Sequence, residues 1–228
     1  MHHDLLIVED LMLLLLHDEH GTIAGAGTLH HTLGGAMLVE LALRGAIETE
    51  EGGASLNGPR VRAVEGAVLD DPLLRSAHAE VARKTQRAQP LLNGVGGGLR
   101  ETVIDRLVER GLIRREQKRV LGVFRTTTWP AEDTRHEAEL LARVRAVLED
   151  GEEPDPRTAA VIALVSSSGA LPGLHPNPKW SSRVATRAKE IERGNWGATA
   201  VSAAVTRTAA ALAASTAAVS VAVFTAVQ

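Results

Sequence analysis

Residues 5–16 read Leu-Leu-Ile-Val-Glu-Asp-Leu-Met-Leu-Leu-Leu-Leu, ten apolar side chains around one acidic pair. A helix through this run is apolar on nearly every side, so it has no face to give to water and must sit inside a folded core. Glu9 and Asp10 fall in its early turn, where the helix dipole favours acids. The run is too short to cross a bilayer. Met1-His2-His3-Asp4, ahead of it, lacks the basic charges of a secretory leader.

The same reasoning extends along the chain. Leu33 to Ile47 (LGGAMLVELALRGAI) carries only Glu40 and Arg44 as charges and reads as a second core helix, with Gly45 near its end. Residues 48 to 72 suit a short hairpin or loop, and Ser76 to Ala88 an amphipathic helix. Gln89 to Gly98 (QPLLNGVGGG) reads as a glycine-rich connection, followed by a helix from Glu101 to Arg110 that Gly111 stops. Leu112 to Thr128 reads as two strands with a polar turn around Glu116 to Lys118. His136 to Glu149 is a further amphipathic helix, residues 150–157 an acidic linker, Thr158 to Val165 a buried helix and Pro172 to Pro178 a loop. From Ala198 to Gln228 the chain is almost entirely Ala, Val, Ser and Thr, with Arg207 as its only charge. Alanine contributes little to membrane transfer and no basic cluster follows, so a tightly packed buried helix is expected rather than a membrane span.

Composition narrows the chemistry. The absence of cysteine rules out disulfides, thiolate metal sites and cysteine nucleophiles, and makes the cytoplasm the expected location. Heavy use of Ala, Gly, Arg and Val, with no tyrosine, suggests a bacterial source. His17, His20, His30 and His31 raise the question of a metal, but His-Glu-x-x-His is absent and a solvated turn is the expected role of the first pair. Ser166 to Ser168 do not form a nucleophile elbow. No catalytic signature is present, so no enzyme activity, cofactor or metal is expected.

Charge is unevenly distributed. Residues 1–50 hold eight acids against the single Arg44, whereas Arg100 to Arg125 hold eight Lys or Arg against four acids. Gly97 and Gly98, at a helix start beside Arg100, form a candidate phosphate site. Arg114, Arg115, Lys118 and Arg119, with Leu121, Val123 and Phe124, give the hairpin a basic and apolar surface suited to an anionic interface. Helix, glycine stop and basic hairpin also follow the order of a winged-helix DNA binder, with Arg106 and Arg110 on the recognition helix, although Glu101, Asp105 and Glu109 oppose that reading.

Four stretches resemble the Golgi phosphoprotein 3 family: LLIVEDLMLLLLHDEHG (5–21), MLVELALRG (37–45), LVERGL (107–112) with the hairpin to Pro130, and DPRTAAVIAL (155–164). The resemblance implies a mainly α, single globular domain over residues 1–228, with a helical-bundle core, a projecting β-hairpin at about 112–128 and no enzyme activity. It also implies peripheral attachment to membranes carrying phosphatidylinositol 4-phosphate, an unknown protein partner, and a hairpin that inserts into membranes or self-associates. The family's head-group pocket uses a tryptophan and three arginines. Those positions fall near Gly25 and at Gly34, Gly97 and Arg100, so one guanidinium remains, and a general anionic surface is expected in place of one specific head group. A protein-interaction module without lipid affinity follows from the missing pocket residues.

Overall fold

The computed structural model describes residues 5–17, 22–50, 57–120, 124–174, 178–194 and 203–226. It is mainly helical, as expected. In chain order the elements are α1 (Ile7–Leu15), α2 (Leu29–Leu43), β1 (Ile47–Thr49), β2 (Arg60–Ala63), α3 (Pro72–Ala82), β3 (Gln86–Arg87), α4 (Ala88–Gly96), α5 (Leu99–Glu109), β4 (Glu116–Val120), β5 (Phe124–Thr128), α6 (Arg135–Arg145), α7 (Pro156–Ser167), α8 (Ser182–Glu192) and α9 (Ala203–Ala226). A π-turn, Ala146–Asp150, extends α6. Strands β1, β2 and β3 form a small antiparallel sheet, and β4 and β5 a separate hairpin.

Helix α2 is the axis of the bundle, packing on α9, α4, α7 and α1. Small residues set how closely these helices approach. Gly34 lies so close to α4 that a methyl group on it would run into the Leu92 carbonyl, and one on Gly96 would run into the His30 carbonyl. On the neighbouring face of α2, a Cβ at Gly35 would stand 2.5 Å from the Thr216 hydroxyl of α9. This contact calls for small side chains on α9 around Thr216. Ala209, Ala210, Leu212, Ala213, Ser215 and Thr216 are buried, and the Ser215 and Thr216 hydroxyls donate to the carbonyls of Ala211 and Leu212. No helix among the described residues is long and apolar enough to cross a membrane.

The acidic pair in α1 is buried, not turned to solvent. The Oε1 atom of Glu9 accepts from Nε of Arg106 at 3.0 Å and pairs with Nε of Arg110 at 2.9 Å, while Oε2 accepts from the Leu6 amide. Asp10 pairs with His136 at 2.7 Å and with Arg157 at 2.7 Å. Glu40 of α2 accepts from the Ile7 amide and pairs with Arg44 and Arg157. Arg157 also donates to the Leu5 carbonyl, and Arg106 reaches Asp71, the cap of α3, at 2.7 Å. Buried carboxylates survive only when paired and fully hydrogen-bonded, and here each is. The network ties α1 to α2, α3, α5, α6 and α7.

Several expectations are corrected. Gln89 to Gly98 is not a connection but mostly helix α4, stabilised by its glycine contact with α2. The amphipathic helix placed at Ser76 to Ala88 runs from Pro72 to Ala82, with Asp71 as cap and proline in the first turn. Residues 116–118 are part of strand β4, paired with 126–128, and not a turn. Helix α7 begins at Pro156, where Asp155 accepts from the amides of Arg157 and Thr158, shortening the acidic linker. Helix α8 is additional to the elements expected. Gly111 does stop α5: at φ 70° it places its own amide on the Val108 carbonyl and the Leu112 amide on that of Leu107.

Gly34→Ala is expected to lower unfolding stability by about 1–3 kcal/mol or more, because the clash is with backbone and not with a side chain that can turn away. Urea unfolding checks this, with Gly173→Ala, which meets nothing within 4 Å, staying near wild type.

Candidate functional site

The basic stretch from Arg100 to Arg125 separates into inward and outward cations. Arg106 and Arg110 turn into the bundle onto Glu9, with side chains only 18 % and 25 % exposed. Arg115 pairs with Asp105 at 2.8 Å and Arg114 with Glu116 at 2.7 Å, all four on the surface. Exposed pairs of this kind are weak and screened by salt, so their guanidiniums stay open to exchange with another anion.

Arg100 is different. It is exposed on the first turn of α5, and among the described residues it makes no ion pair. Its guanidinium carbon lies 5.9 Å from the centre of the Trp129 ring, just past β5. A cation over an indole face is held in place without losing its charge. The helix that carries it starts at Gly98, which is left-handed at φ 77° and provides no side-chain cap, so the first amides of α5 are not covered by a local acceptor. Gly97 closes α4, with its amide on the Asn93 carbonyl. Arg100, Gly97 and Gly98 thus come together at one exposed corner, flanked by Trp129.

The hairpin follows directly. Its register sets Lys118 opposite Thr126, Arg119 opposite Arg125 and Val120 opposite Phe124. Leu121 and Val123 lie outside the described residues. The Ile113–Ala131 bridge, with the Arg114 amide on the Pro130 carbonyl, extends the pairing of the two arms to the hairpin base.

A sequence model of the Golgi phosphoprotein 3 (GPP34) family matches residues 7–208. The chain belongs to this family. With that settled, the positions where the resemblance puts the head-group pocket can be followed in space. Gly34, the first arginine position, is buried against α4 and has no volume for a side chain. Gly25, near the tryptophan position, faces Ser168. Gly97 is exposed but brings only backbone. Of the three arginine positions, Arg100 is the one that carries a cation in this Golgi phosphoprotein 3 family member.

His17 closes a turn with Thr22, and His20 lies outside the described residues. His30 and His31 stack with ring centres 3.8 Å apart, and burial, followed by the neighbouring His30, pushes the His31 pKa down, so its imidazole is neutral near pH 7. No group of three metal-binding side chains occurs among the described residues. Ser166 donates to Glu192, and Ser167 and Ser168 donate to backbone carbonyls of their own helix.

Sequence reasoning did not foresee the inward role of Arg106, Arg110 and Arg157. The available signal was the acidic pair itself, since carboxylates inside an all-apolar helix require cations from elsewhere. Asp71 at the network's edge offers a pH test. Burial favours its neutral form, but hydrogen bonds from the Arg106 guanidinium and the Leu73 amide outweigh this and hold its pKa below the ordinary 3.8. A depressed carboxylate pKa contributes stability that is complete above about pH 4 and lost as pH falls through the folded value. Asp71→Asn is expected to cost about 1–2 kcal/mol at pH 7 and to flatten the loss of stability below pH 4, read by thermal melts across pH 2–7.

Proposed function

We propose that this chain is a non-enzymatic peripheral membrane or adaptor domain that meets anionic lipid surfaces through Arg100, the uncapped start of α5 and the basic hairpin. The observation that carries the reading is Arg100, an exposed guanidinium over Trp129 for which no carboxylate among the described residues competes. Trp129 keeps part of its ring surface open, while its indole Nε1 is buried without a hydrogen-bond partner. An aromatic beside cations suits the interface between water and lipid.

The non-enzymatic part draws on the acids. Among the described residues the buried carboxylates Glu9, Asp10 and Glu40 are each committed to guanidinium partners, and buried Glu192 pairs with Lys189 and accepts from Ser166. Specificity is proposed to follow surface charge and not head-group identity, because Gly34 leaves no room for the missing cation and Gly97 brings none. A DNA-binding role is less well supported, since Arg106 and Arg110 of the would-be recognition helix are spent on Glu9.

Liposome co-sedimentation tests this. Binding to phosphatidylglycerol vesicles is expected to weaken as salt rises from low to physiological strength, and Arg100→Ala to reduce it by about fivefold, the worth of one basic residue at an anionic surface. Vesicles containing phosphatidylinositol 4-phosphate at matched charge should bind equally. A clear phosphoinositide preference would contradict the charge-only reading, and no sedimentation with any vesicle would end the lipid proposal.

A further inference from the structure

Away from Arg100, a cleft of about 370 Å³ opens between the π-turn after α6 and the first turns of α8. Helix α8 packs on α7, α9 and that π-turn, whereas α5 packs on α1 and α2, so this is a different part of the surface. Ser182, Arg183, Thr186, Arg187 and Glu190 line the cleft from α8. Their spacing of three and four residues puts them on one helix face. Gly151, on the opposite wall, leaves room for Arg183: a Cβ there would meet the arginine's Nη2 at 3.1 Å.

The donors in this cleft outnumber their acceptors. Among the described residues Arg183 forms no ion pair, and the Ser182 and Thr186 hydroxyls have no hydrogen-bond partner. Arg187 is only loosely held, with Nη1 3.5 Å from Glu190 and Nη2 3.7 Å from the exposed Glu153. Its Nε–H is buried and has no acceptor at all. A buried guanidinium N–H without an acceptor is unfavourable and calls for a ligand or a rearrangement that supplies one. Glu190 is the single carboxylate among the lining residues.

We infer that this cleft binds a phosphate-class oxyanion, with Arg183 and Arg187 supplying charge and Ser182 and Thr186 supplying hydroxyl donors. The planar fork of a guanidinium matches two oxygens of a tetrahedral anion, and two forks one helical turn apart hold it from one side. Arg187 turns from its long contacts onto the anion. Glu190 opposes binding and sets its strength.

Isothermal titration of the full chain with inorganic phosphate and pyrophosphate tests the site, alongside sedimentation with phosphatidic acid vesicles. One saturable site is expected, weakened about tenfold by Arg183→Ala and by Arg187→Ala, as the loss of a charge-assisted pair implies. Glu190→Gln should tighten it. Arg193→Ala, an exposed cation at the far end of α8, should leave it unchanged and so controls for net charge. Because Arg183 is exposed, its removal leaves the fold intact, which a thermal melt verifies. Saturable binding of the inorganic anions assigns a free oxyanion. Binding to phosphatidic acid vesicles in excess of phosphatidylglycerol vesicles at matched charge, an excess that Arg183→Ala removes and Arg100→Ala keeps, assigns a lipid phosphate. The inference is overturned if wild type binds neither inorganic anion and its vesicle binding ignores Arg183→Ala, or if Arg183→Ala and Arg193→Ala have equal effects.

Discussion

The fold depends on the burial of Glu9 and Asp10 inside an otherwise apolar helix. Two adjacent carboxylates without water would be prohibitive alone, so the chain must deliver partners to them, and it does so with guanidiniums from α5 and α7 and the imidazole of His136 from α6. Arg157 is the most committed of these. Burial disfavours its charge, but Asp10 and Glu40 together more than compensate and raise its pKa further. Such a network is not a strong source of net stability, since well-packed apolar groups often do as well. Its physical effect is orientation, because removing one member leaves another charge buried and unpaired.

That constraint shapes the outer surface as well. Cations recruited inward are unavailable for partners: Arg106 and Arg110 are committed to Glu9, Arg114 and Arg115 pair on the surface, and Arg100 makes no ion pair among the described residues. A second constraint comes from close helix packing around α2, where Gly34, Gly35 and Gly96 let backbone meet backbone or a hydroxyl. The position at which the family resemblance calls for a head-group arginine is thus a structural glycine here.

Much of the architecture was legible because it is written in local patterns: the leucine run, the glycine stops at Gly45 and Gly111, and the small-residue C-terminal helix. Arg100 with Gly97 and Gly98 was legible for the same reason, since they are neighbours in sequence. The network was not, because Asp10 and Arg157 are separated by 147 positions and no local period relates them. Helix α4 was hidden by Pro90 and its glycines, residues of low helix propensity, and tertiary contact with α2 overrides that preference. Helix α8 had a signal in Ser181, whose hydroxyl caps it, ahead of Val184, Ala188 and Ile191 at helical spacing.

The central claim is that paired burial of charge holds α1 in place. A double-mutant cycle on Asp10 and Arg157 measures it, using Asp10→Ala, Arg157→Ala and the double variant in urea unfolding. The account predicts that each single change costs about 3 kcal/mol or more and that the double costs less than their sum, with a coupling of about 2 kcal/mol. Costs that add to within about 0.5 kcal/mol would contradict it.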